Sequence, residues 1–184
     1  MVKTFFAYKD SMTARYTEAG KRVCGTWLIF PNTTVIGPKG SSKTLLKLQK
    51  TSKIKHLKEI KTSEILDPNT EIKLAEIIKV GDMVNVTNAT RGRGFSGAVK
   101  RWGFAGGPRT HGQSDRERAP GSSGTGTGLG RLYRGHKGPG KMGNKNVQIR
   151  NLKVLEVDLS ANRLLVSGLL PGSALTLSRV EVIT

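Results

Sequence analysis

Few residues of this chain have the types and spacing that catalysis requires. Gly92-Arg93-Gly94-Phe95-Ser96-Gly97 fits G-x-G-x-x-G, and Val99 extends it toward the glycine loop of a kinase. Such a phosphate cradle needs a helix behind its glycines, or a hairpin with a catalytic loop downstream. Instead, Arg101-Trp102-Gly103-Phe104-Ala105-Gly106-Gly107-Pro108 is hostile to a helix. Glu117 lies about where a ribose-binding acid would, but it is flanked by Arg116 and Arg118 and ends no strand. His56, His111 and His136 share no metal-ligand spacing, so no metal site is expected. Ser114, His111 and Asp115 lie near one another, but in a stretch without the rigid support a nucleophile needs. Cys24, in an apolar run, reads as a buried core thiol. Asn32-Thr33-Thr34, Asn85-Val86-Thr87 and Asn88-Ala89-Thr90 are glycosylation sequons by pattern and carry meaning only in a secreted chain.

The stronger chemistry is recognition of a polyanion. The chain has 184 residues and a net charge of +18, from 31 Lys and Arg against 13 Asp and Glu. Residues 91–145 hold 12 of those cations, only 2 of the acids, and 16 of the 23 glycines. Within them, Lys100-Arg101-Trp102-Gly103-Phe104 sets two cations beside two aromatics, and Arg131-Leu132-Tyr133-Arg134-Gly135-His136-Lys137 does something similar. Cations meet phosphates, while aromatic rings and guanidinium planes stack on unpaired bases. Arg91, Arg93, Arg109, His111, Arg116, Arg118, Lys141 and Lys145 extend the footprint. Glycines let backbone amides approach the nucleic acid closely. Trp102 has a second reading, as a plug for the core at the base of this segment. The blander alternative for the whole segment is a flexible loop of solvated charges.

That segment needs other elements to hold it. Residues 103–145 offer only Phe104, Leu129, Leu132, Tyr133 and Met142 as bulky apolar groups. These cannot offset a backbone ordering cost of about 1–2 kcal/mol per residue, so the segment does not fold alone. The flanks read as short strands: Val23–Phe30, Thr44–Gln49, Asp82–Thr87, a short mixed piece from Phe95 to Arg101, Val147–Val154, a hairpin from Leu155 to Ser167 turning over Ser160-Ala161-Asn162, and Arg179–Ile183. The alternation slips between Ile149 and Leu152, which predicts a bulge at Arg150-Asn151. Ile54, Leu57 and Ile60, among Lys50, Lys53, Lys55, Lys58 and Lys61, fit a short basic helix or a loose strand. The expected fold is mainly β, a small barrel or sandwich built from both ends of the chain. Residues 1–101 and 146–184 would form it, with 102–145 as a long, basic, Gly-rich irregular extension inserted between strands.

Composition excludes other classes. One cysteine precludes a disulfide framework within the chain, and no run of 18 apolar residues exists to span a bilayer. The start, Met1 to Asp10, is too short in apolar length for a leader and carries an early acid, so a secreted protein is not expected.

Thr110-His111-Gly112-Gln113-Ser114, then Arg118-Ala119-Pro120-Gly121-Ser122-Ser123-Gly124, resembles the central signature of the bacterial-type large-subunit ribosomal protein L-three family. So does Gly138-Pro139-Gly140-Lys141-Met142-Gly143-Asn144 leading into Val147 and Asn151-Leu152-Lys153-Val154. Gly92 to Trp102 resembles the family's glycine-rich strand ending in Lys-Arg-Trp. Ser11-Met12-Thr13 resembles its N-terminal Gly-Met-Thr with Ser11 for glycine, and Leu164-Leu165-Val166 with Pro171-Gly172 its last strands. The match is dense over 91–172 and sparse over 21–90.

The resemblance implies a six-stranded barrel of the translation-protein type on the subunit surface. It also implies an extension running through large-subunit rRNA toward the peptidyl transferase centre, with its tip around Gly121 to Arg134. It further implies binding to rRNA early in subunit assembly, contacts with ribosomal proteins of the L-fourteen and L-nineteen types, no enzymatic activity, and no membrane or small-molecule partner. No cofactor is implied beyond magnesium accompanying the rRNA. The location implied is a cytoplasmic ribosome, with an organellar ribosome open. Thr125 stands where bacterial members often carry a methylatable glutamine, so that modification is not expected. Two other classes compete: a free basic RNA chaperone, and a nucleotide-dependent enzyme using Gly92 to Gly97.

Overall fold

Phe5-Phe6-Ala7-Tyr8 is apolar on both strand faces, and a strand with that pattern needs cover on both sides. The computed structural model, which describes residues 3–39, 43–51, 54–62, 66–124 and 126–183, supplies it. This run lies in β1 (Thr4–Tyr16), which is followed by β2 (Arg22–Ile29), β3 (Asn32–Pro38), β4 (Lys43–Thr51), β5 (Ile54–Lys61), β6 (Glu71–Ile72), the single turn α1 (Leu74–Ile77) and β7 (Met83–Ala89). Then come β8 (Phe95–Ser96), α2 (Ala98–Trp102), a 3₁₀ turn (Gly126–Gly128), β9 (Gly140–Lys141), β10 (Asn146–Asp158), β11 (Arg163–Ser167) and β12 (Leu177–Ile183). Contacts divide the chain into two units, residues 1–90 with 145–184, and residues 91–144. The first unit takes in the strands at both chain ends, and the second begins eleven residues before the boundary read from the sequence.

In the first unit six antiparallel strands close into a barrel in the order β1-β12-β7-β10-β11-β2. Phe5, Ala7, Leu28, Val84, Val86, Val154, Leu164, Val166 and Val180 belong to one buried core, to which Leu74, Ile77 and Ile78 of the α1 segment also belong. A four-stranded sheet, β5-β4-β3-β6, belongs to the same unit. Its Val35, Leu46, Leu48 and Ile60 cluster with Phe6 of β1. So alternate residues of β1 feed two cores, which is why all four of Phe5 to Tyr8 are buried.

The sheet resolves the open reading of Ile54 to Ile60 in favour of a strand. Leu57 and Ile60 are three apart and so lie on opposite faces of a strand; Leu57 is 61% exposed and Ile60 2%. Lys53 and Thr125 lie outside the described residues. The bulge stands where the alternation slipped: β10 changes register against β7 between Ile149 and Leu152, with Asn151 at φ 57°. The β10–β11 hairpin pairs Asp158 with Arg163 across the turn.

Two expectations need correction. Cys24 is exposed, not a core thiol. It pairs with Ala14 in the outer part of the β1–β2 hairpin, where Met12–Tyr16 and Arg22–Cys24 are all exposed or half-buried. Phe95 to Arg101 is not one strand. β8 stops at Ser96, Gly97 stays extended, and α2 follows until Gly103, at φ 74°, ends it by donating its N–H to Val99 O at 2.9 Å. The helix-hostile residues begin at Gly103, one position after that helix ends.

Two outcomes follow for the barrel unit. Leu28 is fully buried, so Leu28→Ala lowers stability by about 2–5 kcal/mol, read as the shift in urea unfolding. The Asp158 carboxylate accepts Ser160 Oγ at 2.6 Å, Ala161 N at 3.2 Å and Arg163 Nε at 3.0 Å. These donors, Ser160 foremost, lower its pKa to about 2 from the ordinary 3.8. The native carboxyl therefore binds its proton less tightly than the unfolded one. Its contribution is complete above 3.8 and is lost as the pH falls to about 2. Paired urea titrations of wild type and Asp158→Asn give a gap that closes over that interval; a constant gap would refute the assignment.

Candidate nucleic-acid interface

The second unit is held by backbone geometry, not by a core. Among the described residues of 91–144, only Ser96 and Ala98 are buried. Phe95 pairs with Lys141 and Ser96 with Gly140, and the chain is pinned further where Arg93 N donates to Met142 O and Met142 N to Gly94 O, both at 2.9 Å. Gly143, at φ 76°, passes so close that a Cβ there would lie 2.0 Å from Arg91 O. Gly106 does the same farther out, where a Cβ would lie 2.0 Å from Glu117 O. Between these crossings the Gly138 carbonyl accepts two donors, Arg101 Nη1 at 2.9 Å and Trp102 Nε1 at 2.8 Å.

Trp102 is therefore a latch within this unit. It belongs to neither hydrophobic core, and its ring is 43% exposed. The Arg101 guanidinium lies 5.0 Å from the ring centroid and Lys137 Nζ 5.7 Å. Two cations held over one aromatic ring concentrate positive charge around it.

Of the seventeen predicted contact residues, sixteen fall in this unit and Lys145 in the first. Arg101 and Phe104 are half-buried. Arg91, Arg93, Lys100, Trp102, Arg109, His111, Arg116, Arg118, Arg131, Tyr133, Arg134, His136, Lys137, Lys141 and Lys145 are exposed. Among the described residues Arg109 alone of these has a carboxylate partner, Glu117, at 2.9 Å. The other cations carry undischarged charge. The geometry joins Arg101, Trp102 and Lys137 into one cluster. It joins Arg131, Tyr133 and Arg134 into another, along a groove of about 380 Å³ that Leu129 and Leu132 also line. It does not gather the rest.

Three residues that shape this unit's surface were not singled out in the sequence. Phe95 is 76% exposed and Leu132 55%, the first counted as a strand residue and the second only as an apolar group. A phenylalanine between glycines in a cationic stretch was the available signal for Phe95. Nothing in the sequence marks Gly138, whose part is played by its carbonyl.

The enzymatic readings lose their geometry. Behind Gly92 to Gly97 stands a helix of five residues, too short to present the N-terminal dipole of a nucleotide fold. Glu117 is engaged by Arg109. The Ser114 hydroxyl donates to Asp115 Oδ1, and no hydrogen bond joins His111 to either among the described residues. No group of three or more metal-ligating side chains comes together among the described residues, and no helix is long and apolar enough to cross a membrane.

An antiparallel six-stranded barrel carrying a coreless, cation-rich excursion between β7 and β10 defines the class: a basic β-barrel protein with an inserted extension. Within it, the chain belongs to the ribosomal protein L3 family, whose model matches residues 41–164. It is 43% identical over 121 residues to the large ribosomal subunit protein uL3 of Herpetosiphon aurantiacus, covering 65% of this chain and 57% of that one. It is 53% identical over 103 residues to uL3 of Dehalococcoides mccartyi strain BAV1, covering 56% and 50%. It is 43% identical over 137 residues to uL3c of Arabidopsis thaliana, covering 72% and 50%. Each alignment spans only about half the length of the relative.

The close passage at Gly143 is testable. Gly143→Ala forces Arg91 or its own backbone to move, so limited trypsin digestion cuts at Arg91 and Arg93 severalfold faster than in wild type. The urea midpoint of the barrel unit stays within experimental error. An unchanged digestion rate would mean that the crossing holds nothing together.

Proposed function

We propose that this chain is a structural, non-enzymatic constituent of the large ribosomal subunit that binds rRNA through residues 91–145. One observation carries the reading: of the twelve Lys and Arg in that segment, only Arg109 has a carboxylate partner among the described residues. Unpaired cations on a backbone without a core gain their neutralisation and their rigidity together when they meet phosphates.

In this reading residues 102–145 enter the rRNA, while 1–101 and 146–184 form the globular body at the subunit surface. The stretch from Gly121 to Arg134 is directed toward the peptidyl transferase centre, where Arg131 and Arg134 neutralise converging phosphates and Tyr133 stacks on an unpaired base. The barrel fixes the root of the extension, binding occurs early in subunit assembly, and neighbours of the L-fourteen and L-nineteen types flank the body. The protein resides in the cytoplasmic ribosome or in an organellar one. No protein group performs chemistry; the support is electrostatic and steric.

Sucrose-gradient sedimentation of cell extract tests the assignment. The chain is expected to migrate with the large subunit and to stay there in moderate salt with magnesium. Stripping to the top of the gradient would move the assignment to a loosely bound RNA chaperone. In isolated binding, about six neutralised phosphates give a slope of log K against log salt of roughly −4 to −5. Arg131→Ala and Arg134→Ala are expected to slow subunit assembly or to shift sensitivity to drugs acting at the centre. Normal profiles with unchanged sensitivity in both would overturn the placement of the tip.

A further inference from the structure

Arg101 stands apart from the other cations of the extension. Of the twelve Lys and Arg in residues 91–145, it is the one that is not exposed. It is the penultimate residue of α2. Its Nη1 donates to Gly138 O at 2.9 Å, the carbonyl that also accepts Trp102 Nε1 at 2.8 Å, and its Cζ lies 5.0 Å from the Trp102 ring centroid. A planar guanidinium suits such a seat, since it hydrogen-bonds in its plane and stacks on its face.

Gly140 shows how closely the seat is filled. Its φ is not in the left-handed region, so its backbone would take any residue. Space forbids one: a Cβ there would lie 2.5 Å from Arg101 Nη1, 3.3 Å from Cζ and 3.7 Å from Nη2. Gly106 and Gly143 are closed off by backbone carbonyls, Glu117 O and Arg91 O. Gly140 is closed off by the side chain of a cation, and that cation is engaged by the nearby Gly138 carbonyl.

The two limbs of the extension need this contact. The outgoing limb, 91–103, carries Arg91, Arg93 and Lys100, and the returning limb, 137–144, carries Lys137 and Lys141. Between them the β8–β9 ladder has two residues on each strand. A two-stranded ladder is marginal in water even when it is longer. Among the described residues, Arg101 and Trp102 supply the side-chain hydrogen bonds between the limbs. Limbs joined beforehand present their cations together, and binding then has less chain to order.

We propose that Arg101 is a positioning residue for rRNA binding and not one of its phosphate contacts. Its guanidinium, seated on Gly138 and Gly140, holds the returning limb to the outgoing one, and the exposed cations of both limbs meet the phosphates. This rests on the rRNA-binding reading above.

Binding of the full chain to deproteinised large-subunit rRNA, measured across a salt series, tests it. Arg101→Ala is expected to weaken binding at least about tenfold, through lost pre-organisation. The slope of log K against log salt stays at the wild-type value, and so does the urea midpoint of the barrel unit. Gly140→Ala keeps every charge but pushes the guanidinium off Gly138, and is expected to weaken binding to the same extent. The double variant is expected to bind no more weakly than either single one, because both changes remove one contact. Three results overturn the role. The first is a slope shallower by roughly 0.7–0.9 in Arg101→Ala, which marks one lost phosphate contact. The second is wild-type affinity in Arg101→Ala or in Gly140→Ala. The third is a double variant whose loss is the product of the two single losses. The two readings fail separately. Absence of salt-dependent binding by the wild-type chain defeats the rRNA reading and the positioning role with it. Wild-type binding with any of the three results defeats the positioning role alone.

Discussion

Closure of the barrel is the constraint on which the rest of the structure depends. β1 pairs with β12, so Thr4 meets Glu181 and Tyr8 meets Leu177, joining the two ends of the described chain. In the same barrel β7 pairs directly with β10, so Ala89 faces Asn146, and Thr90 N donates to Lys145 O at 2.9 Å. The excursion then leaves and returns at one place. Holding so long a loop is entropically inexpensive, because closure entropy grows only with the logarithm of length. β1 carries a second burden, since alternate residues of its first half feed the barrel core and the core of the four-stranded sheet.

The two units are stabilised by different physics. The barrel unit buries aliphatic and aromatic side chains in two continuous clusters. The extension buries almost nothing, and depends instead on backbone crossings that only glycine permits and on the Trp102–Gly138–Arg101 latch. Its cations cannot satisfy one another, and two acids are too few for twelve Lys and Arg. Mutual repulsion in such a segment opposes compaction until polyanion supplies the counter-charge. The same composition that prevents independent folding leaves the segment's cations without carboxylate partners, which is the basis of the proposed rRNA binding.

Charge also sorts the surfaces of the molecule. Cations concentrate in residues 91–145, whereas the connection between β11 and β12 carries none. A buried lysine, Lys9, is turned away from recognition and used as an internal clamp on the Leu170 and Gly172 carbonyls of that connection. Asn88 does the same for Pro171. The chain thus presents a basic, unpaired surface in one stretch and a neutral, rigid one in another.

Much of this was legible in the residues. Local alternation revealed β2, β7 and β11, the hairpin over Ser160 to Asn162, and the bulge before Leu152, because those features depend on which face of a strand each neighbour takes. Composition alone marked the extension as basic, glycine-rich and unable to form a core. Partners distant in sequence were not legible. Nothing in Phe5 to Tyr8 says that one side faces a barrel and the other a sheet. Nothing around Cys24 says that the β1–β2 hairpin runs out into solvent there. The switch from β8 to α2 turns on Gly97, which stays extended, and on Gly103, which ends the helix in the left-handed region. So charge, periodicity and turn chemistry determined the kinds of element and the basic, coreless character of the extension, since those follow from short-range sterics and net composition. Which faces are covered, which carbonyls Lys9 and Trp102 find, and which leucines are left outside were decided only by tertiary packing, which brings together residues distant in sequence, 161 positions apart for Lys9 and Leu170 and 36 for Trp102 and Gly138.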